Sequence, residues 1–116
     1  MMKTTKNIGD FGEKIAKDYL IQKGYRILDT NFRVKSGELD IVAMQRDILV
    51  FVEVKTRKND FFCSAREAVN KSKQDKLQHA AREFIAAKSI SFRETRFDVI
   101  EYYTETGKIE HYVDAF

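Results

Sequence analysis

Between Leu39 and Thr56 apolar side chains crowd into two runs, Leu39 to Gln45 and Ile48 to Thr56, parted by the charged pair Arg46-Asp47. Short runs rich in branched residues read as strands, here as an antiparallel pair. The second opens as an unbroken apolar stretch, Ile48-Leu49-Val50-Phe51-Val52, which marks a central strand covered on both faces. Upstream the period changes. Phe11, Ile15, Ala16, Tyr19 and Leu20 recur at helical spacing between Asp10, a capping residue, and Gly24, a left-handed stop, which predicts a helix from Phe11 to Lys23. Tyr25 to Val34 is aromatic and branched and ends at Lys35-Ser36-Gly37, a strand followed by a tight turn. Downstream, Ser64 and Glu67 have capping-box spacing, and Leu77, Ala80, Ala81, Phe84 and Ile85 form an apolar stripe. They predict a second helix, interrupted near Ser72 and finished before Ser89. Arg96 to Tyr103 and Lys108 to Val113 flank Glu105-Thr106-Gly107 as a closing hairpin, so the expected order is αβββαββ.

Composition narrows the class without naming the chemistry. With no proline, no repeat and no linker-like stretch, residues 1–116 are expected to form one domain around one core. The chain is 43% hydrophobic and 34% charged, and its longest apolar run falls far short of the ~20 residues of a membrane span, so no membrane association is expected. Met1 to Lys6 lacks the apolar stretch of a secretory signal, and the single Cys63 has no intrachain partner; both point to the cytoplasm. Only His79 and His111 accompany that cysteine, too few for a structural zinc cluster. Neither a phosphate-binding glycine-lysine loop nor a dinucleotide glycine fingerprint occurs, which removes nucleotide-driven and hydride chemistry. A net charge of +3 permits a nucleic-acid partner without requiring one.

The placement of charge is more telling. Side chains alternate along a strand, so Glu53 and Lys55 share one face of the third strand, while Glu38, Asp40 and Val42 share one face of the second, opposite to Leu39, Ile41 and Ala43. A connection symmetric about Arg46-Asp47 sets Asp40 against Glu53 and Glu38 against Lys55. Facing carboxylates at cross-strand distance repel unless a positive charge lies between them. Mg²⁺ or Mn²⁺ meets that need with Asp40, Glu53 and the backbone carbonyl of Val54 as ligands, because magnesium keeps several waters and takes phosphate oxygens readily. Lys55 then stands where an ammonium could orient an attacking water or neutralise a developing phosphorane charge. Phosphodiester hydrolysis is the expected reaction.

Gly37-Glu38-Leu39-Asp40 followed by Glu53-Val54-Lys55 resembles the core motif of the PD-(D/E)XK, or restriction-endonuclease-like, nuclease superfamily. Over nearly its full length the chain is similar to the YraN-like family of bacterial proteins within it, through Phe51 to Arg57, Ser72-Lys73-Gln74, Arg96-Phe97-Asp98-Val99 and Asp114-Ala115-Phe116. Leu39 replaces the proline of the superfamily's name. The resemblance implies a three-layer α/β fold with a mixed central sheet, kinship with archaeal Holliday junction resolvases, and a helix-one glutamate, here Glu13, near the metal site. The expected function is metal-dependent endonuclease action on branched or structured DNA. A catalytically idle nucleic-acid-binding module, or a structural protein keeping the fold, is the alternative. Symmetric cutting of a junction would call for a homodimer.

Plainer readings stand beside these. Glu13 lies three residues after Asp10, the spacing of a capping box that would only close the helix start. Glu38 is either a third acid at the metal or the ion-pair partner of Lys55. Lys71, Lys73 and Lys76, with Arg57 and Lys58, are candidate phosphate contacts or a solvated face, and Gln74 is a possible supporting residue. Asp98 reads as a partner of Arg96, His79 as a surface histidine, and Cys63 as a thiol lacking the neighbours nucleophilic catalysis needs.

Overall fold

The computed structural model describes residues 5–59 and 69–116 and shows a mixed sheet of five strands between two helices. In chain order the elements are α1 (Thr5–Gln22), β1 (Arg26–Val34), β2 (Gly37–Gln45), β3 (Ile48–Arg57), α2 (Lys71–Ala87), β4 (Glu94–Tyr103) and β5 (Ile109–Tyr112). This is the αβββαββ order and the three-layer arrangement expected of a restriction-endonuclease-like chain. Spatial order follows chain order; β3 and β4 run parallel and the other pairs antiparallel. A parallel pair cannot be joined by a hairpin, and α2 lies in the crossover that joins this one. The sheet centre is thereby covered twice. Ala16 and Leu20 of α1 pack with Ile41, Ala43, Val50, Val52 and Ile100 on one face. On the other, Leu77, Ala80, Ala81 and Phe84 of α2 meet Val42, Met44, Leu49, Phe51 and Val99. Successive apolar residues along β3 answer to these two layers. Among the described residues no helix is long and apolar enough to cross a membrane.

The start of α1 differs from expectation. α1 begins at Thr5, more than a turn before Asp10, which therefore lies inside the helix and caps nothing. Nothing between Lys6 and Gly9 stops a helix already nucleated, since one glycine costs only about 1 kcal/mol. The other end matches the expected stop: Gly24 takes φ 90°, its N–H reaches the Ile21 carbonyl at 3.0 Å, and the Tyr25 N–H reaches that of Leu20 at 3.0 Å. Those bonds form a Schellman motif, closed by the apolar pair Leu20 and Tyr25. Asn70 caps α2, its side chain accepting the Lys73 N–H at 2.9 Å. The interruption expected near Ser72 falls beside this boundary: Val69 and Asn70 are not helical, and the helix runs on unbroken from Lys71. The Ser64–Glu67 pair and Cys63 lie outside the described residues.

Register between β2 and β3 follows the expected symmetry from Gln45↔Ile48 to Ile41↔Val52 and ends there. At that point alternation breaks. Leu39 does not join Ile41 and Ala43 on the α1 face but packs with Val42, Phe51 and Leu77 on the α2 face. Opposite, Asn31 of β1 takes φ 54°, and the next β1 residue, Phe32, stacks edge-on against Phe84 of α2 at 5.1 Å between centroids. Asp40 occupies this irregularity.

Candidate functional site

Where β2 leaves β3, the Asp40 carboxylate takes the place of a backbone acceptor. Its Oδ2 accepts the Val54 N–H at 2.8 Å, so the side chain is held in the gap between the strands. N–H and C=O of one strand residue point the same way, and the Val54 carbonyl is turned toward the same gap. Glu53, only 6% exposed, meets Asp40 there. Burial, and after it the Glu53 charge, drive the Asp40 carboxyl up to about 8, against the Val54 hydrogen bond that favours its ionised form. Two carboxyl groups thus converge without enough positive charge to keep both ionised near neutrality.

Two ammonium groups approach Glu53 from elsewhere. Lys55 Nζ lies 3.5 Å and Lys73 Nζ 3.3 Å from its Oε1. Lys55 does not pair with Glu38. The break in alternation parts Glu38 from Lys55, and its Oε1 stands 3.6 Å from Arg33 Nε. Glu13 reaches Asp40 from α1 through a side-chain hydrogen bond. With its amide turned so that the nitrogen faces the carboxylates, Asn31 donates to Glu13 Oε2 at 3.1 Å and to Glu38 Oε1 at 2.9 Å. Burial raises the Glu13 carboxyl and Glu38 and Asp10 add to this, while the bonds to Asp40 and Asn31 pull it down. With Asp10 inside the helix, the capping-box account of Glu13 falls away. What aims Glu13 is the close approach of α1 to β3: a Cβ built on Gly12 would stand 2.0 Å from Thr56 Oγ1.

Other expected contacts are scattered. Lys71 pairs with Asp75 at 2.7 Å in solvent, Lys58 faces Glu105 at 3.8 Å, and Lys76 is exposed on α2 beside Gly37. Gln74 turns back to the Val69 carbonyl at 3.0 Å, bracing the start of α2. His79 is half exposed and lies 3.6 Å from Glu83. Asp98 is fully buried and takes both Arg96 Nε at 2.8 Å and Nη2 at 2.9 Å, with His111 Nε2 at 2.7 Å. That is the structural role expected of it.

One group escaped the sequence reading. Glu101 of β4 has no exposure and lies beside Lys55 in the parallel register. Tyr103 donates its hydroxyl to Glu101 Oε2, and Arg57 Nε stands 3.3 Å from the same oxygen. Glu101 Oε1 and Arg57 Nε themselves lack hydrogen bonds. Its signal was alternation along β4, which puts Glu101 on the face of Val99; the parallel register that brings it to Lys55 has no turn to reveal it.

Could these residues hold a divalent ion? Among the described residues no three acidic, histidine or cysteine side chains form a ready-made cage. The donor set is two carboxyl groups and one carbonyl at a gap, hard oxygens of the kind magnesium and manganese take when the remaining positions go to water and substrate phosphate. It fits such an ion.

The family described as "Uncharacterised protein family UPF0102" matches residues 12–102. The chain belongs to this family. A UPF0102 protein of Alkaliphilus metalliredigens is 43% identical over 110 residues, covering 95% of this chain and 96% of that one. One from Clostridioides difficile is 43% identical over 111 residues, covering 96% and 97%. Among solved structures, an FdxN element excision controlling factor protein from Anabaena variabilis is similar over 90% of this chain and 98% of its own, with a TM-score of 0.52 at 16% identity. That last likeness concerns the fold alone.

Proposed function

We propose that this chain is a divalent-metal-dependent endonuclease acting on branched or structured DNA. The observation that carries the reading is the convergence of Asp40 and Glu53, with Lys55 beside them, in the gap where β2 parts from β3. Mg²⁺ or Mn²⁺, held by Asp40, Glu53 and the Val54 carbonyl, would supply Lewis acidity toward a phosphodiester oxygen. The Val54 N–H fixes the Asp40 carboxylate, so the site is organised before substrate arrives. Lys55 places an ammonium at the face of Glu53, where it orients the attacking water and offsets charge on the phosphorane. Lys73 brings a second cation from α2 to Glu53, 3.3 Å from its Oε1, and would be suited to a non-bridging phosphate oxygen if Glu53 held the metal. Glu13 borders the site from α1 and supports the Asp40 carboxyl through their hydrogen bond.

A second reading, a nucleic-acid-binding module without catalysis, draws on one feature: Glu53 is already met by two ammonium groups. Incubation with Mg²⁺ or Mn²⁺ on linear, flapped and four-way-junction DNA separates the two. Cleavage of a structured substrate, reduced at least about a hundredfold in Lys55→Ala, is the expected result. Retention of every substrate intact by a chain that binds them supports the module.

A further inference from the structure

On the α1 side of the site a cavity of about 190 Å³ opens between α1 and β1, room for roughly six waters at their liquid volume. Its lining is mostly polar and mixed in sign: Asp10, Glu13, Lys14 and Lys17 come from the helix, Thr30 and Asn31 from β1, and Ile41 from β2 adds an apolar wall. Glu13 belongs to both places, lining the cavity and bonding to Asp40, so the cavity adjoins the gap where the phosphodiester would sit. Lys14 and Lys17 are three residues apart, neighbours on one helix face. Lys14 is exposed and pairs with Asp18 at 3.5 Å, a surface pair that a phosphate can displace. The carboxylates and the Thr30 hydroxyl offer acceptors matching the amino group of a base, a pairing that acidic side chains make with cytosine.

We infer that this cavity is a nucleotide subsite: it receives the nucleotide flanking the scissile phosphate, with Lys14 and Lys17 on consecutive backbone phosphates and Asp10 and Thr30 on the base. The inference rests on the nuclease reading and extends it by giving the substrate strand a path over α1. None of the basic residues expected from sequence to contact nucleic acid lines this cavity.

Fluorescence anisotropy of a labelled duplex with a single-stranded overhang, with Ca²⁺ replacing Mg²⁺ so that binding is read without cleavage, tests it. Lys14→Gln/Lys17→Gln keeps the helix and should melt like the wild type. Loss of two phosphate contacts lowers the slope of log affinity against log salt by about 2, so a fourfold rise in salt costs the wild type about tenfold more affinity than the variant. In the wild type, a walk of single abasic sites along the overhang should weaken binding at one position. Equal salt slopes, or indifference to every abasic site, overturn the subsite and leave the nuclease reading standing. Failure of the wild type to bind any probe overturns both.

Discussion

Asp40 is the residue whose ionisation reports the site most directly. Its carboxyl is driven to about 8 from an ordinary value of 3.8, so between those values the folded chain holds a proton that the unfolded chain has released. Without metal, this group's contribution to stability is whole below about pH 4 and is lost as pH rises toward about 8. Asp40→Asn removes the titrating group while leaving an oxygen for the Val54 N–H. In EDTA the variant is expected to match the wild type at acid pH and to exceed it at pH 8, as measured by thermal melts across that range. Added Mg²⁺ or Mn²⁺ raises the melting temperature of the wild type, because binding to the folded state alone stabilises it, and leaves the variant unmoved. A wild type indifferent to metal, or a variant destabilised in EDTA at pH 8, contradicts the account.

At the scale of elements, the approach of α1 to the sheet decides where Glu13 sits. Gly12→Ala drives a methyl into Thr56, whose Oγ1 and Cβ would lie 2.0 and 3.2 Å away. Rotation of the hydroxyl clears the first contact; the second requires helix or strand to shift. The expected cost is about 1–3 kcal/mol by urea denaturation, with Thr56→Ala returning most of it in the double variant. Additive losses would show that helix and strand do not touch there. The residue pattern announced much of this element structure. The order of elements, the β2–β3 register and the Gly24 stop were legible because each depends on local periodicity or on a turn. The early start of α1 was not, since Asp10 is a good cap that a longer helix bypasses. Likewise the turn of Leu39 toward α2 escaped alternation, because an irregular pair of strand residues, Asn31 and Asp40, resets it. Convergence of Lys73 on Glu53 and the placing of Glu101 beside Lys55 depend on the crossover through α2. Such tertiary placement leaves no mark on local spacing.

For the whole molecule, the tie between parts is Asp98, which sits across from Val52 in the parallel register and works through partners other than those of the proposed chemistry. It holds Arg96, which also reaches Gln45 Oε1 at 2.8 Å and the Tyr25 hydroxyl at 2.9 Å, joining β4 to β2 and to the end of α1. Through His111 it meets β5, and His111 Nδ1 lies 3.1 Å from the Tyr19 hydroxyl of α1. The Asp114 N–H, 3.0 Å from Oδ1, anchors the chain beyond β5. Burial alone would raise this carboxyl, but the hydrogen bonds from His111, Arg96 and the Asp114 amide outweigh it and hold it below the ordinary range. The stabilisation it gives is therefore present above about pH 4 and is lost as pH falls through the lowered value, opposite in sense to Asp40. The two carboxyls' own contributions pull in opposite senses, Asp98 losing stabilisation toward acid and Asp40 toward neutral pH, and saturating Mg²⁺ should remove the second loss by relieving Asp40. Asp98→Asn leaves the Arg96 guanidinium, whose side chain is 13% exposed, without its counter-charge, at an expected cost of about 3–5 kcal/mol. The acid limb of the stability curve should flatten in that variant while the decline above pH 5 persists. If both limbs moved together, the two carboxyls would share one network, and the separation of scaffold from site would be wrong.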